Sequence, residues 1–121
     1  MVILRGIDFC STCEHHLLPF TGTATIGYLP QGRIVGLSKL SRITTCFARR
    51  LQVQEQLTIQ IAESLMEHLK PLGVGVILKA KHQCMICRGV NQPAAEMVTS
   101  SLLGVFKEQS TRSEFLSLAR M

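Results

Sequence analysis

Leu57, Ile61, Leu65 and Leu69 recur at helical spacing between Gln54 and Pro71. This stripe makes the segment an amphipathic helix that must bury one face against another layer. Pro71 and Gly73 stop it. A second stripe, Leu40, Ile43, Phe47 and Leu51, predicts a helix over 39–50, capped by Ser38 and with Arg49 and Arg50 in its last turn. The layer they cover is supplied by strands. Residues 2–10 are rich in Val, Ile and Phe, and 20–29 alternate Thr with apolar residues. Pro30-Gln31-Gly32 is a turn signal, and 33–37 is expected to return as a hairpin strand. Strands are also expected over 74–85 and 97–106. Thr111 with Glu114 reads as a capping box for a short helix through Leu118. The order predicts one α+β domain spanning 1–121, with a mostly antiparallel sheet and the two helices on one face.

With 121 residues, 46% of them hydrophobic and 17% charged, the chain is globular and its core modest, so oligomerisation would add stability. No stretch resembles a signal peptide or a membrane span, which predicts a cytoplasmic protein without a membrane partner. The formal net charge of +5 suits an anionic ligand. Aromatic residues make up 5% of the chain and Trp is absent, leaving few stacking platforms for nucleic acid.

Five cysteines in a reducing compartment point to thiols or metal ligands. Two arrangements compete. Cys10-x-x-Cys13 and Cys84-x-x-Cys87 could supply four thiolates to a structural zinc ion. A hairpin and two helices separate the pairs, however, and a regular strand through 82–88 would point Cys84 and Cys87 to opposite faces. The other arrangement takes Cys13, His16 and Cys84 as three ligands and leaves the fourth position to water, which is how catalytic zinc is held. On a regular strand His82 and Arg88 would share the face of Cys84.

Several separated segments resemble the type I GTP cyclohydrolase family: Cys13-Glu14-His15-His16-Leu17-Leu18-Pro19-Phe20, Gly36-Leu37-Ser38-Lys39, Arg49 to Glu55, His82-Gln83-Cys84-Met85 with Arg88-Gly89, Thr99 to Leu102, and Thr111-Arg112 with Glu114-Phe115-Leu116. The resemblance implies the tunnelling fold, in which antiparallel sheets of several subunits close into a barrel with active sites between subunits. Pentameric rings or a decamer follow from it. It implies hydrolysis and rearrangement of GTP to formate and 7,8-dihydroneopterin triphosphate, the entry to folate and pterin synthesis, with Zn2+ as cofactor.

Carried onto this chain, the resemblance makes Cys13, His16 and Cys84 the zinc ligands. His82 becomes the proton donor to N7, and His15 assists later proton transfers. Glu55, with Gln54 beside it, would read the guanine edge, and Ser38, Lys39, Arg42 and Arg88 would hold the triphosphate. The family's first strand is usually preceded by a helical segment that lends basic residues to a neighbouring subunit; the chain is expected to be a short member lacking it. Two other readings remain in view: a short homologue that acts as a partner or regulator, and a structural-zinc module with a basic binding surface.

Overall fold

A computed structural model describes all 121 residues. The chain runs through β1 (Val2–Cys13), β2 (Pro19–Leu29), α1 (Leu37–Ala48), β3 (Leu51–Gln52), α2 (Gln54–Leu69), β4 (Gly73–His82), α3 (Gln83–Ile86), β5 (Met97–Gly104), a 3-10 turn (Val105–Lys107) and α4 (Gln109–Arg120). One five-stranded sheet has the order β3-β1-β2-β4-β5. Three of its ladders are antiparallel; the two-residue β3 joins the edge of β1 in parallel. The sheet is therefore mixed, with the antiparallel arrangement expected from the sequence dominating it.

Alternation along the two central strands divides their side chains. Ala24, Ile26 and Tyr28 of β2 and Val74, Val76, Leu78 and Ala80 of β4 are buried in one core with Leu40 of α1 and Leu57, Ile61, Ala62 and Leu65 of α2. The leucine stripe thus finds its flat partner, and burying each of the Val, Leu and Ile side chains contributes about 1.5–3 kcal/mol before entropy is subtracted. The opposite face carries exposed Thr21, Thr23, Lys79 and Lys81. At one end it is covered by α4: Phe115 lies over Gly27 and Gly75, which pair across β2 and β4, and stacks edge-on with Phe106 at 5.2 Å. A Cβ on either glycine would stand within 2.7 Å of the Phe115 ring, so the seat exists because those side chains are missing. The C-terminal helix therefore sits across the sheet from α1 and α2, and only these two helices share a face.

Several local expectations are corrected. Residues 33–36 form no strand. Instead Val35 N–H donates to the Tyr28 hydroxyl at 3.1 Å, and α1 starts at Leu37 with Gly36, not Ser38, at its N-cap. Arg49 and Arg50 fall just beyond α1. Arg50 folds back to donate to the Cys46 carbonyl at 3.2 Å and lies over the Phe47 ring, so it still serves the helix end. Cys46 of α1 is exposed. The fourth strand ends at His82, and the next four residues make a helical turn. The fifth ends at Gly104, whose φ of +64° breaks the extended chain. The C-terminal helix starts at Gln109, so Thr111 lies inside it and caps nothing. No helix is long and apolar enough to cross a membrane.

Candidate functional site

Three chain segments meet at one end of the sheet. Ser11 of β1 pairs with Phe20 of β2, and Phe20 pairs with His82 of β4. Both β1 and β4 run antiparallel to the strand between them, so they are parallel to each other and leave the sheet at the same edge. Cys13 lies two residues beyond Ser11, and Cys84 two residues beyond His82. Register alone thus gathers segments about seventy positions apart in the sequence.

The turn after β1 folds the chain back on itself. Leu17 N–H donates to the Cys13 carbonyl at 2.8 Å, Cys13 N–H donates to the Leu18 carbonyl at 2.9 Å, and Leu17 takes a φ of +55°. This places His16 Nδ1 3.7 Å from Cys13 Sγ. Two zinc ligands at tetrahedral angles, with Zn–S about 2.3 Å and Zn–N about 2.05 Å, stand about 3.6 Å apart. The pair therefore fits a shared ion in both donor chemistry and spacing. His15 is exposed on the same turn, its ring edge-on to His16 at 6.4 Å and its Nε2 3.9 Å from a Glu14 carboxylate oxygen. No group of three His, Cys, Asp or Glu side chains converges, so Cys84 stands at the same sheet edge without closing on the pair.

His82 is the most constrained polar side chain of the site. Its ring stacks flat on Phe20, with centroids 4.5 Å apart and 3° between planes. Its Nε2 lies 2.7 Å from Gln54 Oε1. The Gln54 amide is buried, and its Nε2 faces the Leu78 carbonyl at 3.3 Å, the Met97 carbonyl at 3.0 Å and Thr99 Oγ1 at 3.1 Å. These oxygens orient the amide, so Oε1 is the atom presented to the histidine and His82 Nε2–H is the donor. Nδ1 is left as the nitrogen free for chemistry. Burial pushes the His82 pKa below its ordinary value; the charge of Glu55 acts in the opposite direction.

Gln54 is fully buried, and its amide is engaged by Leu78, Met97, Thr99 and His82, so in this chain it holds the His82 ring in place. Glu55, the next residue on α2, is exposed in the helix's first turn, close enough for its charge to act on His82. A cleft of about 380 Å³ opens beside His82 and Cys84, walled by Ala80, Met85, Ala95 and Met97 with Glu96 at its margin. The methionines and alanines of that wall carried no signal in the sequence, because apolar residues on strand ends and loops read as ordinary packing.

The helical turn at 83–86 changes two further expectations. Cys84, Ile86 and Arg88 do not alternate along a strand, so Arg88 does not share a strand face with Cys84; it is exposed beyond the turn. The four-thiolate arrangement fails for another reason. Along β1, Phe9, Ser11 and Cys13 are buried while Asp8 and Cys10 are exposed, so Cys10 points away from Cys13.

Ser38, Lys39 and Arg42 are not part of this cluster. Lys39 lines a groove with Ser64, His68 and Leu69, at the C-terminal end of α2. Glu55 and His68 are separated by thirteen helical residues, or about 20 Å. Val35 is tied to Tyr28, eight residues along β2 from Phe20 and thus about 26 Å away. One chain therefore carries Lys39 and the His82 cluster at opposite ends, while Arg88 stays near His82.

Among solved structures, an archaeosine synthase QueF-Like protein in its apo form superposes with a TM-score of 0.69 at 16% identity, covering 85% of this chain and 92% of that one. That likeness concerns the fold alone. Among curated proteins, GTP cyclohydrolase 1 of Janthinobacterium sp. (strain Marseille) is 60% identical over 99% of this chain and 61% of its own length. The Gloeobacter violaceus protein of the same name is 60% identical over 98% of the chain and 56% of its own length, and that of Dictyostelium discoideum is 54% identical over 99% and 52%. The chain thus spans roughly half to three fifths of the length of these relatives. The family model for GTP cyclohydrolase I matches residues 1–120, and with a match of that extent the chain belongs to the GTP cyclohydrolase I family.

Proposed function

We propose that this chain carries the reaction centre of a GTP cyclohydrolase I, converting GTP and water to formate and 7,8-dihydroneopterin triphosphate. The observation that carries the reading is the Cys13–His16 pair at zinc-ligand spacing, at the same sheet edge as the oriented imidazole of His82. Cys13, His16 and Cys84 would hold the zinc ion. When bound, the ion supplies Lewis acidity that makes water a usable nucleophile near neutral pH.

The chain's own groups do the rest. His82, anchored through Nε2–H, takes up a proton from solvent at Nδ1 and, as the imidazolium, delivers that proton to guanine N7 as C8 is attacked. His15, exposed beside His16, serves the later proton transfers of ring opening. Glu55 accepts from N1–H and the exocyclic amine, a pair of donors that adenine does not offer. Arg88 and, from the other end of the fold, Ser38, Lys39 and Arg42 hold the triphosphate. Because the groove that Lys39 lines lies about 20 Å along α2 from Glu55, we take Lys39, with its helix neighbours Ser38 and Arg42, from a neighbouring copy, which makes the site an interface of a homo-oligomer.

Purified protein tests the reading directly. Zinc bound in proportion to chain, together with formate and a fluorescent pterin formed from GTP, is the expected result; a metal-loaded protein that releases no formate would refute it. The shared site has its own check. Lys39→Ala and Glu55→Ala chains should each be nearly inactive. When unfolded together and refolded, they should recover part of the activity, because some interfaces then combine an intact Glu55 with an intact Lys39. No recovery in mixed assemblies would place both residues in one chain's site.

A further inference from the structure

Cys87, the second cysteine of the Cys84-x-x-Cys87 motif, is not used by the chemistry above. The helical turn of α3 brings its two ends together: Cys87 N–H donates to the Gln83 carbonyl at 2.9 Å, and Cys87 itself keeps helical backbone angles, φ −88° and ψ −13°. Residues three apart on such a turn lie on one face, with Cα atoms about 5 Å apart. A disulfide needs about 4.4–6.8 Å between Cα atoms. Both cysteines are free; Cys87 is exposed and Cys84 half-buried. By contrast, a strand through this segment would have kept them on opposite faces.

The geometry points to Cys84 and Cys87 as a reversible dithiol–disulfide pair that reacts with small-molecule disulfides such as oxidised glutathione. The exposed Cys87 thiolate attacks one sulfur of the oxidant, forming a mixed disulfide and releasing one thiol. Cys84 then attacks the Cys87 sulfur, closing the intrachain disulfide and releasing the second thiol. The two cysteines lose two electrons and two protons, and the oxidant's S–S bond becomes two thiols. The consequence for metal binding rests on the zinc reading of Cys84: the closed disulfide has no thiolate to give, so oxidation removes a ligand and bound zinc in turn shields the pair.

Trypsin cuts after Lys81 and Arg88, so one peptide, 82–88, contains both thiols. The metal-free chain is treated with oxidised glutathione, alkylated, digested and weighed. The expected result is loss of both alkylation sites from that peptide, with a mass lower by two hydrogens, restored by dithiothreitol and abolished in Cys87→Ser. A glutathione adduct that persists on Cys87, a crosslink between Cys84 and Cys13, or two thiols that stay alkylatable would each overturn the pair. Repeating the treatment with zinc separates the two readings: slower closure supports Cys84 as a ligand, while equal rates refute the ligand role and leave the dithiol standing.

Discussion

His82→Ala is expected to slow formate release from GTP by about a hundredfold or more while zinc content stays unchanged. The ring contributes nothing to the Cys13–His16 pair, so the metal has no reason to leave. What disappears is a proton carrier held on two sides, by the Phe20 ring at 4.5 Å and by Gln54 Oε1 at 2.7 Å. That double restraint is why the loss should appear in kcat: a ring whose Nε2–H is held by Gln54 presents its other nitrogen, once protonated, to N7 without first having to be oriented. Formate yield and metal analysis on the same preparation check it. A rate within a few-fold of the parent protein would remove His82 from the chemistry, and lost zinc would make it a support of the metal site instead.

Gln54→Leu is expected to cost about 3–5 kcal/mol of stability, a large share of the roughly 5–15 kcal/mol a domain of this kind has. The leucine fills nearly the same volume, so the loss is one of hydrogen bonds. Gln54 Nε2 faces oxygens of Leu78, Met97 and Thr99, and so ties the start of α2 to both β4 and β5; Oε1 takes the His82 proton. Thr58 reinforces the same knot, its hydroxyl 2.8 Å from the Gln54 carbonyl and 2.7 Å from Thr99 Oγ1. Without the amide, His82 Nε2–H and at least one strand carbonyl lose their partner in a buried setting. Urea unfolding measures the change. A midpoint shift worth less than about 1 kcal/mol would mean that water replaces the amide and that Gln54 is not the link between helix and sheet.

These two residues show unequal legibility. His82 stood out in the sequence through its place two positions from the candidate ligand Cys84 and the resemblance of that segment, and the structure surrounds it with partners. Gln54 was grouped with Glu55 through the family resemblance, since adjacent polar residues at a helix start look alike in one dimension. Their separation is a matter of helical phase. A rotation of about 100° per residue turns Gln54 into the sheet and leaves Glu55 in the open. The same limit explains the 82–88 segment. Its β-branched approach reads as strand, but nothing local announces that extension ends at His82 and that a helical turn follows.

What the residue order determined by itself is periodic and chemical. The leucine stripe of α2 made a helix that needed a sheet, alternation in β2 supplied a face for it, and the cysteines and histidines named a zinc-compatible donor set. These are properties of side-chain type and of neighbours two to four positions apart, where local sterics decide. Only the tertiary structure decided which of those groups meet. Strand register brought Cys13 and His82 to one edge, the antiparallel packing of α1 on α2 carried Lys39 to the far end, and the missing Cβ atoms of Gly27 and Gly75 admitted Phe115 to the other face. Such pairings depend on contacts between segments tens of residues apart, whose selection is a property of the whole packed core rather than of any window of sequence.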